Sequence, residues 1–193
     1  MIIGITGPTG SGKSTLLSIL QEQGALVLDC DKIYHRLLET DTALLSAIAE
    51  RFPGTVENGA LRRKKLGAIV FSDKQSLIDL ESITHTAIKS QVIQQLQNPP
   101  DLAAIDAIGL FESGLAELCD VTVAVIAPEN IRVERLMARE GISREYAECR
   151  ISAQKSAAAF EAQCDRVLVN DGDLPTFQTK CLAFFRDLDI IKA

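Results

Sequence analysis

Histidine is scarce in this chain. Only His35 and His85 occur, and neither has the Cys or carboxylate spacing of a metal centre around it. The five cysteines, Cys30, Cys119, Cys149, Cys164 and Cys181, are scattered and odd in number, with no CxxC pair. That argues against a disulfide framework and a zinc site, and for a reducing compartment. Positive charge is in deficit. Lys+Arg is 20 against Asp+Glu 26, a net charge of −6. A general nucleic-acid binder needs a basic footprint, so no nucleic-acid partner is expected, although a local anion site is allowed. Long apolar runs are missing as well. Val121 to Ala127 is the longest strand-like one, well short of the roughly 20 residues of a membrane span. Met1 runs straight into Ile2 and Ile3 without a basic leader region. The expectation is a cytoplasmic protein with no membrane association and no obligate protein partner.

What is present is an ordinary globular composition: 193 residues, 47% hydrophobic and 24% charged. This length suits one domain, or one core with insertions. Short apolar runs at Met1–Thr6, Ala25–Asp29, Ala103–Asp106, Val121–Ile126 and Arg166–Asn170 alternate with helical stretches. That alternation predicts an α/β fold with a parallel sheet covered on both faces. Gly24 is a natural stop for the first helix, and Asp173 with Pro175 opens the last. Between the second and third strands lie about 70 residues of helical spacing with no convincing strand pattern. Leu77, Leu80, Ile83 and Ile88 predict one long helix there, with turns at Pro53-Gly54 and Asn58-Gly59. A further helical stretch from Glu129 to Ala159 is broken at Gly141. Both stretches read as insertions at the carboxyl ends of strands, where open α/β folds place ligands.

Gly7-Pro8-Thr9-Gly10-Ser11-Gly12-Lys13-Ser14 fits GxxxxGK[ST] at every position, between a strand and a helix. In this motif the glycines let backbone N–H groups turn inward around a phosphate chain. Residues Pro8 to Ser14, with Thr15 in the helix behind them, are the expected ATP site. Lys13 reaches the β- and γ-phosphates, and the Ser14 hydroxyl binds Mg²⁺. The helix beginning here also aims its positive end at the anion.

Asp29 and Asp31 close the second strand and would share a face if the strand persisted. One could orient or deprotonate an acceptor hydroxyl, and the other could hold metal-bound water. The alternative is that Asp31 only caps a helix beginning at Lys32. Asp106 resembles the acidic end of a Walker B strand, and Glu112 follows it after a short loop. Arg132, Arg135 and Arg139 fall on one helical face at i, i+3 and i+7. Arg139 is the candidate for stabilising charge during transfer. For Arg132 and Arg135 a solvated face with Glu129, Glu134 and Glu140 as partners is at least as good a reading. Arg150 and Gln154, at i and i+4, form a second polar face.

Over nearly its whole length the chain resembles the dephospho-coenzyme A kinase family. The resemblance runs through Ile3 to Gly7 into the phosphate loop, Leu28-Asp29-Cys30-Asp31-Lys32-Ile33, Asn58-Gly59-Ala60-Leu61 and Val70-Phe71. It continues in Leu80-Glu81-Ser82-Ile83-Thr84-His85, Leu110-Phe111-Glu112, Arg135-Leu136, Arg150-Ile151 with Gln154, and Asp165 to Asn170. The resemblance implies a P-loop NTPase three-layer fold. Its five-stranded parallel core would span about 1–33, 100–127 and 160–193, with a helical acceptor-binding insertion at about 34–99 and a helical lid at about 128–159. The implied reaction uses ATP and Mg²⁺ to phosphorylate the ribose 3′-hydroxyl of dephospho-coenzyme A. Lys13, Asp31 and Arg139 would be catalytic. Ser14 and Asp29 would lie on the metal side, and Asp31, His35, His85 and Glu112 on the acceptor side. Departures from the family's usual residues fall at Ile108, Gly109, Thr86, His35 and Phe160. The alternatives are another small P-loop kinase, or a nucleotide-dependent switch. The chain lacks the Asn/Thr-Lys-x-Asp base-reading motif expected of a GTP switch.

Overall fold

The computed structural model describes residues 1–98 and 100–190. Residue 99 and residues 191–193, at the ends of the expected insertion and of the expected last core segment, lie outside the described residues. The chain divides into two compact units, one formed by Met1–Leu28 with Pro100–Ala193 and the other by Asp29–Pro99. In chain order the elements begin with β1 (Ile2–Thr6), α1 (Lys13–Glu22), β2 (Leu26–Asp29), α2 (Cys30–Thr40), α3 (Thr42–Arg51), β3 (Val56–Glu57) and β4 (Ala60–Leu61). There follow α4 (Arg63–Val70), α5 (Lys74–Gln95), β5 (Ala103–Asp106), β6 (Val121–Ile126), α6 (Glu129–Glu140), α7 (Arg144–Ser152), α8 (Ala157–Glu161), β7 (Arg166–Val169) and α9 (Leu174–Asp187).

The first unit carries a five-stranded sheet in the order β2-β5-β1-β6-β7, and its strands run parallel. β1 is central because Ile-Ile-Gly-Ile-Thr can be buried on both faces, as a parallel strand between helical layers must be. Ile3 and Ile5 meet Leu16, Ile19 and Leu20 of α1 and Phe177, Cys181 and Phe185 of α9 on one face. Burying an aliphatic side chain of this size is worth roughly 1.5–3 kcal/mol. On the other face a Cβ at Gly4 would come within 2.7 Å of Cys119 Sγ and 2.8 Å of Leu110 Cδ2. Phe160 of α8 packs there against Ala124 and Ile126. The five expected strands are all present, β5 and β6 with the expected bounds and the others within one residue of them. At the entry to β7, Asp165 Oδ2 accepts both the Thr122 N–H at 2.8 Å and its hydroxyl at 2.7 Å.

α6 stops where expected. Gly141 sits at φ 67°, and its N–H donates to Met137 O at 2.9 Å. Val133 and Leu136 then pack against Ala147 and Ile151 of α7, which gives this helical pair its own small core.

The second unit is built on α5, a 22-residue helix against which α2, α3 and α4 pack. Asp73 caps it by accepting from the Ser76 N–H at 2.7 Å. The long helix matches the expectation. The expectation of no strand is corrected by a small hairpin, in which Val56 pairs with Leu61 and Glu57 with Ala60. Asn58 (φ 52°) and Gly59 (φ 74°) form its turn, the two positive φ values that such a tight hairpin requires. The strands are too short to leave an alternation pattern. Among the described residues, no helix is long and apolar enough to cross a membrane.

Candidate active site

β1 delivers the chain into the phosphate loop, and α1 begins at Lys13. Gly12 is the N-cap, at φ 103°, and no side chain caps the helix. No capping side chain therefore competes with an anion for the positive end of this helix. Two glycines are required on steric grounds as well. A Cβ at Gly12 would lie 2.1 Å from Asn170 Nδ2, and one at Gly7 (φ 139°) would lie 2.1 Å from Val125 O. Lys13 Nζ donates to Gly7 O at 2.8 Å, which folds the ammonium across the loop. Ser11 Oγ is buried in the loop without a hydrogen-bond partner among the described residues. Burying an unsatisfied hydroxyl is costly, and such atoms mark sites built for something else.

Four side chains far away in sequence hold this loop. Arg132 Nε donates to Thr9 O at 2.9 Å, and its Nη2 to Gln154 Oε1 at 3.1 Å. Gln154 Oε1 also accepts the Thr9 N–H at 3.0 Å, and Gln154 Nε2 donates to Thr9 Oγ1 at 2.8 Å. Arg135 donates to Gly10 O at 3.3 Å and Asn170 Oδ1 at 2.9 Å. Asn170 Nδ2 donates to Ser11 O at 2.9 Å. The expectation of a solvated face for Arg132 and Arg135 is therefore corrected. Arg132 is 4% exposed, and neither guanidinium forms an ion pair among the described residues. Burial pushes both below the ordinary arginine value, with Glu129 opposing the shift at Arg132. Both remain cationic at neutral pH. They add positive charge behind a loop whose backbone already attracts anions.

The other predicted residues are placed as follows. Arg139 is exposed near the end of α6 and pairs with Glu140 Oε1 at 2.6 Å, while Glu140 Oε2 pairs with Arg150. Glu112 lies in the loop after β5, exposed and paired with Lys155. Thr6 Oγ1 donates to Ile108 O at 3.0 Å and fixes the start of that loop. In the second unit, α2 begins at Cys30, and its cap is Asp29, whose Oδ1 accepts the Lys32 N–H at 3.0 Å. Asp29 Oδ2 pairs with Lys32 Nζ at 3.0 Å. The strand ends at Asp29, as its apolar run suggested, and the alternative of a cap at Asp31 is set aside. Asp31 is exposed in the first turn of α2. His35 is exposed beside Tyr34, with ring centroids 5.8 Å apart, and His85 is half-buried on α5.

The residues present suit a magnesium nucleotide. Ser14 is exposed in the first turn of α1. Asp106 ends β5, in register with Ile5 of β1. A hydroxyl and a carboxylate are the hard oxygen donors that Mg²⁺ takes, and it usually borrows the rest from substrate phosphates and water. The orphaned Ser11 hydroxyl and the glycine-lined cradle suit the phosphates.

The dephospho-CoA kinase family model matches residues 1–176. The chain belongs to the dephospho-CoA kinase family. A dephospho-CoA kinase from Symbiobacterium thermophilum is 36% identical over 191 residues, covering 96% of this chain and 80% of that one. One from Anaeromyxobacter dehalogenans is 38% identical over 178 residues, covering 89% and 84%. Among solved structures, a Thermus thermophilus protein superposes with a TM-score of 0.80 at 34% identity, covering 97% of each chain. The dephospho-CoA kinase of Campylobacter jejuni does so with 0.69 at 25%, covering 97% and 96%. A shikimate kinase from Bacteroides thetaiotaomicron, at 13% identity and TM-score 0.61, shares the fold. Membership makes the chain a kinase of coenzyme A synthesis that uses ATP. Arg132, Arg135, Gln154 and Asn170 are the residues that sequence reasoning underrated. Arg135, Gln154 and Asn170 fall in segments that carry the family resemblance, but their spacing alone, polar side chains on a helix and at a strand end, is shared by many surface helices and did not point to the loop.

Proposed function

We propose that this kinase transfers the γ-phosphoryl group of ATP to the 3′-hydroxyl of the ribose in dephospho-coenzyme A. The observation that carries the reading is the complete phosphate loop, sterically committed to glycine at Gly7 and Gly12, in a chain of this family. Lys13 leaves Gly7 O for the terminal phosphates. Ser14 and Asp106 hold the metal side. Asp29 is the weaker metal candidate, because both its oxygens already serve Lys32. Mg²⁺, when bound, neutralises charge on the β- and γ-oxygens.

Asp31 accepts the proton as the ribose oxygen bonds to the γ-phosphorus and the bond to the β-bridging oxygen breaks. ADP carries away that electron pair. Asp31 suits this role because the helix cap is supplied by Asp29. Arg139 meets charge that spreads over the transferring group, after exchanging its Glu140 partner for it. His35, His85 and Glu112 contribute acceptor contacts, and the Asp29–Pro99 unit carries the acceptor. The test is ATP consumption with dephospho-coenzyme A, with nucleoside monophosphates and with no acceptor. Turnover specific to dephospho-coenzyme A is expected. Faster turnover with a nucleoside monophosphate would favour the other small-kinase reading.

A further inference from the structure

Thr9 is held at every polar group it has. Its N–H goes to Gln154 Oε1, its carbonyl receives Arg132 Nε, and its hydroxyl receives Gln154 Nε2. Arg132 Nη2 closes the ring on Gln154. The partners come from α6 and from the α7–α8 connection, 123 and 145 residues away in sequence. Both acceptor positions of the Gln154 oxygen are filled, and the buried Arg132 donates to the Thr9 carbonyl of the loop and to the Gln154 side chain. Arg132 Nε and the Gln154 amide are thus committed to Thr9, and Arg132 Nη2 to Gln154.

We propose that Arg132 and Gln154 are positioning residues. They set the phosphate loop in its binding conformation before nucleotide arrives, without touching the phosphates. This rests on the kinase reading of the loop. Fixing a residue's backbone costs roughly 1–2 kcal/mol, and a loop ordered in advance avoids that cost at the moment of binding. A residue that braces the whole loop affects every nucleotide that uses it. A residue that touches the γ-phosphate affects ATP and spares ADP. The segment expected to act only as a lid thus also shapes the site from behind.

The test is calorimetric binding of MgADP and MgATP, without acceptor, to wild type, Gln154→Ala and Arg132→Lys. Hydrogen exchange of the nucleotide-free proteins goes with it. Lysine keeps the charge of Arg132 but cannot reach both acceptors with a fork. Expected are Kd values raised about tenfold for both nucleotides alike, a loss of about 1.4 kcal/mol, with faster exchange confined to residues 7–14. A loss for ATP alone would mean direct phosphate contact and overturn the proposal. So would unchanged binding and exchange, or faster exchange spread across the whole first unit. Failure of the wild type to bind either nucleotide would instead overturn the kinase reading of the loop.

Discussion

Asn170 Nδ2 donates to Ser11 O at 2.9 Å and stands where a Cβ on Gly12 would have to go, 2.1 Å from it. The end of β7 thereby fixes both the identity and the conformation of a residue 158 positions earlier in the chain (170 − 12). Asn170 is itself held by Arg135 at 2.9 Å, so it cannot swing aside without breaking a second bond.

Gly12→Ala is therefore expected to move the loop. At φ 103° an alanine is strained by roughly 1–3 kcal/mol, and the clash with Asn170 adds to that. MgATP affinity falls by at least tenfold, while the sheet core survives. Calorimetry and a thermal melt check this. Affinity near wild type would mean that the loop tolerates the displacement.

Asp31→Asn keeps the shape of the side chain and loses its basic oxygen. Transfer falls by roughly 10²–10⁴-fold, the usual range for loss of a general base, while ATP and acceptor still bind. Asp29→Ala instead removes the cap of α2, a change of about 1 kcal/mol in stability, with a smaller effect on rate. Steady-state kinetics, direct binding and melting separate the two. The reverse pattern would exchange their roles.

Arg139→Ala lowers kcat by about 10³-fold with little change in MgATP affinity, since only interactions stronger in the transition state accelerate transfer. In the variant Glu140 keeps Arg150 as its partner. Rapid-quench kinetics beside equilibrium binding provides the check. An unchanged rate would leave Arg139 as a surface partner of Glu140.

Asp165 gives a pH dependence of known sign. Hydrogen bonds from the Thr122 hydroxyl and N–H hold its carboxyl below the ordinary value. A folded-state value below the unfolded one means that the contribution is full above the unfolded pKa, about 3.9. It is lost as pH falls through the lower, folded value. Asp165→Asn should melt earlier than wild type at neutral pH, and the gap should narrow as pH falls below about 3.9 and through the lower folded-state value. Melting curves across that range test it. A gap independent of pH would assign the effect to packing.

The sheet was legible because each strand is a local apolar run, and the phosphate loop because glycine, lysine and serine at fixed spacing serve one chemistry. Gly141 and Asp173 were legible as local stop and start signals. What escaped was made by distant partners. Arg132 and Arg135 carry the same i, i+3 spacing as any solvated face. Only the fold reveals that their donors end on Thr9 and Gly10 carbonyls rather than on Glu129 and Glu134. Which carboxylate of Asp-x-Asp caps α2 was not legible, because either one can serve at a helix start whose position is read only to within a residue or two; it is Asp29.

The most direct test is the product itself. Purified protein is given MgATP and dephospho-coenzyme A, with Lys13→Ala alongside, and the product is resolved by phosphorus NMR. The expected result is a new phosphomonoester on the ribose 3′-oxygen, one for each ADP formed, and none with Lys13→Ala. ATP consumed without that resonance, or the resonance undiminished in the lysine variant, would contradict it.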